Sequence, residues 1–267
     1  MTAFPYPLRG ALRLTAGVLL LALAACADAP PPEDATADWP VEKLYSEARR
    51  VLLEGGYAQA IDYYGKLEAR FPYGVYAQQA MIDTAYAHYK KGEPELAIEA
   101  ADRFIRLYPL HSNVEYAYYL KGLVNFRREV SILEKVWPQR LEARDMHPAR
   151  KAFDDFALLL RTFPQSRYAP DARQRMVYLR NQLAEHELLV AQHYLERGAY
   201  LAMANRAKYV LEQYPNTPAM PAALGYLVRA YRILGMDALA DDSMRVLAAN
   251  FPDHPATEQA RRFQVTD

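Results

Sequence analysis

The sequence predicts an all-α fold, a right-handed superhelix of about five stacked helical hairpins. An aromatic residue stands directly before a proline five times, at Phe71-Pro72, Tyr108-Pro109, Phe163-Pro164, Tyr214-Pro215 and Phe251-Pro252. Successive prolines of this series are 37, 55, 51 and 37 residues apart. Between them apolar residues return every three or four positions, which is typical of amphipathic helices, and no stretch alternates as a strand would. Repeats near this length are typical of stacked helix pairs.

The five copies also agree at fixed distances before the proline. Four copies have glycine seventeen residues before it, where a tight turn between helices needs tolerance of positive φ: Gly55, Gly92, Gly198 and Gly235. Four have alanine twelve residues before it: Ala60, Ala97, Ala152 and Ala240. All five have an apolar residue five before it: Leu67, Phe104, Leu159, Val210 and Leu247. The third copy has His147 at the glycine position, and the fourth copy has Met203 at the alanine position. This pattern resembles the tetratricopeptide repeat, in which helix A, a turn and helix B form one unit.

Periodicity predicts the first four helices at Val41 to Glu54, Tyr57 to Arg70, Tyr76 to Lys91 and Pro94 to Leu107. The third copy exceeds the 37-residue spacing by 18 residues (55 against 37), which we place at about 129–147 as a long loop or an extra helix. The fourth exceeds the same spacing by 14 (51 against 37). Because no proline or glycine follows Pro170 before Gly198, we expect one long helix from Pro170 to Arg197, joining two halves of the stack.

Residues 1–25 resemble the signal peptide of a bacterial lipoprotein and are excluded from the fold. Arg9 and Arg13 precede an apolar stretch that is too short to span a bilayer comfortably. The run Leu23-Ala24-Ala25-Cys26 resembles a lipobox, so we expect cleavage before Cys26 and acylation of its thiol. An ordinary secretory signal with a chance cysteine is the alternative. Cys26 is the only cysteine, which rules out an intramolecular disulfide.

The position of the anchored protein follows from the residues after the cysteine. In lipoprotein families an aspartate there tends to retain the protein at the inner membrane, and this chain has Ala27 instead. We therefore expect a lipid anchor in the outer membrane, on its periplasmic face. Residues 26–40 are acidic and rich in proline, which predicts an extended tether between the lipid and the folded body.

Composition and motifs argue against several classes of function. The 32 basic and 32 acidic residues give a net charge of zero, so no overall field attracts nucleic acid. His186-Glu187 is followed by His193, seven residues from the first histidine, whereas a zinc-binding helix needs four. No glycine-rich phosphate loop or nucleophile elbow is present. We expect no enzymatic activity, no cofactor and no metal site.

Tyrosine is abundant, with 21 residues. Those in the second and third repeats fall mostly on A helices, which line the concave side of such a superhelix: Tyr73, Tyr76, Tyr86, Tyr89, Tyr116, Tyr118 and Tyr119. Tyrosine offers a large contact area with a polar tip. One interpretation is a groove for an extended peptide. The other is that the rings pack between helices in place of the usual core aromatics.

Three segments indicate which family of repeat-containing lipoproteins the chain resembles: Arg70 to Gln79, Ala101 to Pro109, and Glu196 to Tyr200 with Asn205-Arg206. They are similar to the BamD family, lipoproteins of the outer-membrane β-barrel assembly machine, and the resemblance covers nearly all of the chain after the signal. It implies a non-enzymatic scaffold that binds the C-terminal targeting signals of unfolded β-barrel proteins. It also implies docking to BamA, the barrel-forming subunit, with other Bam lipoproteins as further partners.

The resemblance also implies which residues make these contacts. Repeats 1–3, residues 41–165, would receive the substrate signal. The residues carried over for this role are Phe71, Tyr73, Gly74, Tyr76, Gln79, Tyr86 and Tyr89. Repeats 4 and 5 with the tail, residues 166–267, would dock on the periplasmic domains of BamA through Arg206, with Arg197 nearby. The planar fork of an arginine suits such a contact because it can bind a carboxylate in two places.

One segment departs from the family, and a different class of function stays open. The repeat-three expansion lacks the family's paired phenylalanines and charged run, and has Trp137 and Arg144-Asp145 in their place. The alternative function is an envelope adaptor that organises peptidoglycan or division proteins through the same repeats. An envelope enzyme using the repeats as a platform would need a catalytic domain, for which no residues are left.

Overall fold

The structure is a computed structural model that describes residues 34–129 and 145–265. The chain divides into two units, residues 1–40 and 41–267. In the first unit, residues 35–38 form a turn. In the second, the described helices are α1 (Val41–Leu53), α2 (Tyr57–Arg70), α3 (Val75–Lys91), α4 (Pro94–Leu107), α5 (Val114–Glu129), α6 (His147–Thr162), α7 (Ala169–Glu196), α8 (Tyr200–Gln213), α9 (Met220–Ile233), α10 (Asp237–Asn250) and α11 (Pro255–Arg262). The described ranges contain no strand, and the predicted all-α class is confirmed.

The helices pair as five hairpins, α1–α2 to α9–α10, followed by the short helix α11. Each helix packs on the next along the chain, and A helices also pack on A helices in the pairs α1–α3, α3–α5 and α7–α9. The short helix α11 packs on the A helix α9. The A helices therefore form the inner layer and the B helices the outer layer, as in a superhelix of helical hairpins. The predicted bounds of α2 and α4 are confirmed. Helix α1 ends one residue earlier than predicted, and α3 begins one residue earlier.

The positions that define the repeat have the burial that close packing requires. The residues five before each proline are fully buried, and those twelve before it are at most 1% exposed. The aromatic residue caps the B helix in all five copies, with φ between −125° and −137°. Its backbone N–H donates to the carbonyl of the buried residue four positions earlier, at 2.8–3.0 Å. The proline that follows has no N–H to continue the ladder, so each B helix ends there.

The turns between A and B helices depend on glycine in four of the five repeats. Gly55, Gly92, Gly198 and Gly235 all have positive φ, between 69° and 89°. At Gly92 this conformation lets its N–H and that of Glu93 reach the carbonyl of His88, at 3.1 and 3.0 Å. These bonds satisfy a helix end that would otherwise lack partners.

The two enlarged repeats differ in how much of them the structure describes. Helix α7 has 28 residues, twice the 14 of α9, so the 14 extra residues form four additional turns and the predicted long helix is confirmed. The insertion at about 129–147 lies almost entirely outside the described residues, including Trp137 and Arg144. Its flanks are described, with α5 ending at Glu129 and α6 beginning at His147.

Helices α5 and α6 approach closely in the third repeat. A Cβ atom on Gly122 would lie 2.4 Å from Cε1 and 2.6 Å from Cδ1 of Phe156, whose side chain is fully buried. Beside this contact, Nδ2 of the buried Asn125 donates to Oδ2 of the buried Asp155 at 2.7 Å. Burial raises the pKa of Asp155 above its usual value. Because residue 122 is a glycine and has no Cβ atom, the Phe156 ring can occupy the space beside it.

Candidate functional site

A pocket of about 270 Å³ opens among the A helices of the first three repeats. We call it the A-helix pocket. Helices α1 and α3 form its sides, and the residues just before α5 and α7 together with the first turn of α5 complete it. Its lining comprises Arg49, Leu52, Leu53, Gln79, Ile82, Asp83, Tyr86, Asn113, Tyr116, Arg167 and Tyr168. Leu53 is 77% exposed, so apolar surface is available at the mouth.

A hydrogen-bond network centred on Asp83 forms the floor. The hydroxyls of Tyr45 and Tyr64 donate to its Oδ2 at 3.1 and 3.2 Å, and Gln79 Nε2 donates to its Oδ1 at 2.9 Å. Burial raises the pKa of Asp83, and these hydrogen bonds oppose the rise. Burial also raises the pKa of Tyr45 to about 12, so this hydroxyl stays protonated as a donor at neutral pH. Both carboxylate oxygens are occupied, and the network joins α1, α2 and α3.

The same network fixes two amide groups in the pocket wall. Gln79 donates to Asp83 through Nε2, and its Oε1 accepts a hydrogen bond from Asn113 Nδ2 at 2.9 Å. Asn113 precedes α5, so the carboxylate on α3 orients an amide contributed by the next repeat. A side chain that is oriented before a ligand arrives loses less conformational entropy on binding.

Stacked aromatic rings form the opposite wall. The Tyr168 ring stacks on Tyr119 with centroids 4.6 Å apart and an interplanar angle of 13°, and it lies 5.6 Å from Tyr116. The Tyr119 hydroxyl donates to Asp171 on α7 at 2.5 Å. Burial raises the pKa of Tyr116, whose hydroxyl therefore remains neutral. These contacts hold the start of α7 against α5.

The charges of the pocket favour an anionic ligand. Arg49 and Arg167 are exposed at its mouth. Arg49 Nη1 donates to the Tyr45 hydroxyl at 3.3 Å, and the Arg167 guanidinium lies 4.8 Å from the centroid of the Tyr168 ring. Of the lining residues, Asp83 alone is acidic, and its oxygens are already bonded. The arrangement offers two cations beside apolar and aromatic surface.

The structure separates the seven residues that the family resemblance assigns to peptide binding. Gln79 and Tyr86 line the pocket. Tyr76 lies behind the floor, with its ring 5.3 Å from that of Tyr45, and Tyr89 lies 6.3 Å from Tyr86.

The other three lie at the loop between α2 and α3. Phe71 caps α2, Tyr73 is 89% exposed, and Gly74 precedes α3 with a φ of 96°. The assigned set is therefore divided between the pocket, its surroundings and an exposed loop.

Several pocket residues were not singled out from the sequence. They are Arg49, Asp83, Asn113, Arg167 and Tyr168. A signal existed on α3, since residues 79, 83 and 86 are spaced by four and three and must share one helix face. No comparable spacing connects residues 49, 113 and 167, which come from different repeats.

The two arginines assigned to docking differ in their surroundings. Arg197 is exposed and follows the last residue of α7. Arg206, on α8, contacts Oε2 of Glu187 through Nη1 at 3.0 Å, and Arg150 Nη2 contacts Oε1 of the same carboxylate at 3.0 Å. The Glu187 side chain is 1% exposed, and those of Arg150 and Arg206 are 47% and 44% exposed. Arg206 therefore pairs a buried carboxylate as well as facing solvent.

The predictions about the membrane and about metals concern residues both inside and outside the described ranges. Cys26 and the signal peptide lie outside the described residues. No helix within residues 34–129 or 145–265 is both long enough and apolar enough to cross a bilayer. The same ranges contain no group of three or more potential metal ligands, and Glu187 next to His186 is bonded to two arginines.

Comparison with known proteins decides the family. A family model described as an outer membrane lipoprotein, YfiO, matches residues 37–247. The chain is 46% identical over 245 residues to the outer membrane protein assembly factor BamD of Neisseria meningitidis serogroup B, covering 91% of this chain and 92% of that protein. The chain belongs to the BamD family. The predicted family is therefore confirmed.

Other members of the BamD family align over similar lengths. The protein of Xylella fastidiosa strain Temecula1 is 44% identical over 216 residues, which are 81% of this chain and 74% of that protein. The protein of Vibrio cholerae is 34% identical over 235 residues, which are 88% of this chain and 96% of that protein. Both are named outer membrane protein assembly factors, as is the Neisseria relative. The A-helix pocket and the ion cluster formed by Arg150, Glu187 and Arg206 both lie within the segment matched by the family model.

Proposed function

We propose that this member of the BamD family is a non-enzymatic scaffold for outer-membrane protein assembly, in which the A-helix pocket binds the C-terminal targeting signal of unfolded β-barrel proteins. One observation carries this proposal. Two exposed arginines, Arg49 and Arg167, stand at the mouth of a pocket lined by tyrosine and leucine. Membership of a family whose curated members are named assembly factors supports the same role.

The chemistry of a chain terminus ending in an aromatic residue matches this lining. Its carboxylate would bind an arginine at the mouth, and its ring would pack on Tyr86, Tyr116 and the leucines of α1. A hydrogen bond between ionised groups is roughly twice as strong as a neutral one. Aromatic burial adds further free energy because it removes apolar area from water.

An extended peptide also carries backbone N–H and C=O groups that need partners on leaving water. The amides of Gln79 and Asn113 stand in the pocket wall, held in place by Asp83. A carboxamide offers both a donor and an acceptor and can bind a peptide group of any sequence. The pocket would thus read the terminal residue through its ring and carboxylate and the rest of the segment through its backbone.

The half of the stack from residue 166 onward would bind the periplasmic domains of BamA, with Arg206 and Arg197 at the contact, alongside other Bam lipoproteins. Acylation at Cys26 would anchor the protein to the outer membrane on its periplasmic face, with residues 26–40 as the tether. Replacing Cys26 by serine should release the protein from membranes washed with high salt. A variant that still sediments with those membranes would refute the lipid anchor.

Peptide binding by the purified full-length chain tests the pocket. A labelled ten-residue peptide ending in phenylalanine with a free carboxylate should bind about tenfold more tightly than the same peptide amidated at its C-terminus, a difference of about 1.4 kcal/mol. Arg49→Gln and Arg167→Gln should each weaken the free acid and leave the amidated peptide nearly unchanged. The assay is fluorescence anisotropy at two salt concentrations.

Arg173→Gln is a matched control for these variants. Arg173 is exposed near the start of α7 and is absent from the pocket lining, and its Nη2 donates to the Pro164 carbonyl at 3.3 Å. Replacing it by glutamine removes the same charge as the two pocket variants but leaves the pocket intact. Equal affinity for acid and amide, or equal loss in all three variants, would contradict the proposed binding mode.

Depletion in cells separates this function from the envelope adaptor. Loss of the protein should remove folded porins from the outer membrane before any change in cell shape. Constriction or cell-wall defects with normal porin levels would favour the adaptor and contradict the assembly role.

A further inference from the structure

Glu187 is a carboxylate buried to 1% exposure at the junction of the third and fourth repeats. It belongs to α7, and its two arginine partners come from α6 and α8. Each arginine takes a different carboxylate oxygen, at 3.0 Å in both cases. The carboxylate therefore holds two guanidinium groups, from two different repeats, beside each other.

The cluster carries more positive charge than its buried carboxylate neutralises. Arg150 and Arg206 with Glu187 sum to a net charge of +1. A guanidinium has five N–H donors. Arg150 and Arg206 each use one on Glu187, and Arg206 also hydrogen-bonds Tyr194, so donors remain on two side chains that are almost half exposed. Such an arrangement, two oriented forks facing solvent, suits a further carboxylate.

Within the described part of the chain, Glu187 is the only carboxylate that forms an ion pair with Arg150 or Arg206. The Tyr214 side chain is nearly buried next to Arg150 and Glu187, with its ring 5.8 Å from Tyr209, and burial raises its pKa to about 12. Tyr194 lies beside Arg206. None of these neighbours is a carboxylate, so they shape the site without cancelling its charge.

Fold stability alone is a weak reason for such a cluster. Replacing a buried ion triad by apolar residues of similar volume is often neutral or stabilising, because removing charged groups from water offsets their attraction. The net positive charge that the cluster leaves at the surface suits a contact outside the chain.

We propose that Arg150 and Arg206 together bind one carboxylate of a partner protein, and that Glu187 is the positioning residue that holds both guanidinium groups for this contact. The inference rests on the proposed docking to BamA, and it adds to Arg206 a second contact residue and a buried group that orients the pair. The group that the two arginines bind is an acidic side chain on the surface of the folded partner.

Affinity for the isolated periplasmic domains of BamA, measured with the full-length chain, tests the pair. Arg150→Gln and Arg206→Gln should each raise Kd about tenfold, and the double variant should lose less than the product of the two losses, because both arginines bind one group. Arg161→Gln on α6 and Lys208→Gln on α8 remove the same charge at exposed positions and should change Kd less than twofold. Melting curves recorded with each variant establish that it is folded.

Two further variants distinguish positioning from bulk charge. Glu187→Gln makes the surface more positive, so electrostatic attraction alone predicts tighter binding to an acidic partner. Positioning predicts weaker binding. Arg150→Lys keeps both the charge and the ion pair with Glu187 but replaces a planar fork by a point charge, and it should raise Kd severalfold even if Glu187→Gln fails to fold.

The outcomes separate this inference from the proposed function beneath it. A loss with Arg206→Gln and none with Arg150→Gln would overturn the inference and leave docking through Arg206 standing. Losses that multiply in the double variant, tighter binding of a folded Glu187→Gln, or full affinity of Arg150→Lys would also overturn it. Unchanged Kd in both single arginine variants would overturn the inference and also remove Arg206 from the proposed docking contact.

Discussion

The contact between Gly122 and Phe156 gives the sharpest test of how the stack is packed. Substituting alanine at position 122 places a methyl group 2.4, 2.6 and 2.9 Å from three carbons of the Phe156 ring. Carbon atoms prefer a separation of about 3.5–4.0 Å, so the ring must withdraw by about 1 Å or more. The ring is fully buried and lies 6.0 Å from the Tyr119 ring, which leaves it little room.

The magnitude follows from two opposing effects. Overpacking of a core costs typically about 1–3 kcal/mol, and a contact this short belongs near the upper end. Replacing glycine by alanine within a helix contributes about 1 kcal/mol in the other direction. Gly122→Ala should therefore lower the free energy of unfolding by about 2 kcal/mol. For a domain of this size the melting temperature should fall by about 4–8 °C.

Gly65→Ala is the matched control because it makes the same change without a clash. Gly65 lies within α2 and is exposed, and a methyl group at this position would meet no neighbouring side chain within 4 Å. Its substitution should raise the melting temperature by about 2–4 °C, since only the helix preference changes.

Thermal denaturation followed by circular dichroism measures both variants. A Phe156→Leu substitution should cost less stability in the Gly122→Ala background than in the wild type, because it removes the clashing ring atoms. The reasoning about repeat three would be refuted if Gly122→Ala and Gly65→Ala shifted the melting temperature in the same direction.

Three further predictions concern charge and turns. Burial raises the folded-state pKa of Asp155 above its ordinary value of 3.8, so ionising this carboxyl destabilises the fold and stability should fall as pH rises from 3.8 through the folded pKa. Asp155→Asn cannot ionise and should lessen the fall in melting temperature between pH 3.8 and pH 7. An unchanged slope would contradict this. Gly92→Ala should lower the free energy of unfolding, measured in urea, by about 1 kcal/mol, because a residue with a Cβ atom is disfavoured at a φ of 86°. No loss would contradict the need for glycine at this turn. Arg206→Glu should cost about 3–5 kcal/mol by leaving Glu187 beside a like charge, whereas Arg206→Lys should melt near the wild type; equal melting of the two would contradict the buried pair.

The ion pair between Arg206 and Glu187 changes how docking should be tested. The sequence presents Arg206 as a contact residue on a helix surface, for which charge reversal is the natural experiment. In the structure the same side chain neutralises Glu187. A loss of BamA binding in Arg206→Glu would combine a lost contact with a damaged fold, so glutamine and lysine are the informative substitutions.

The repeat architecture could be predicted because its rules act on local sequence. The proline after each B helix removes an N–H wherever it occurs, and glycine at the turn permits positive φ irrespective of distant residues. The length of α7 followed from counting residues between prolines. Helix α11 was not predicted, because its eight residues are not followed by a second helix that would complete a repeat. It begins at a cap where His254 Nδ1 accepts a hydrogen bond from the N–H of Ala256.

The pocket and the charge cluster could be predicted only in part because they depend on contacts between repeats. Asp83 is bonded to residues 38 and 19 positions away, and Asn113 reaches Gln79 across 34. Glu187 attracted notice only as a neighbour of His186, while its partners lie 37 residues before and 19 after it. Such distances are fixed by how successive hairpins stack, which no local pattern records. Gly122 was missed for the same reason.

The most direct test of the central claim is photo-crosslinking in living cells from the pocket itself. A photoreactive residue at position 86 should capture unfolded outer-membrane proteins through their final residues, and deleting the substrate's terminal aromatic residue should abolish that capture. The same probe at position 201, which is exposed on the outer helix α8, should capture none of them. Equal capture at both positions, or capture at position 86 that survives the deletion, would contradict the account.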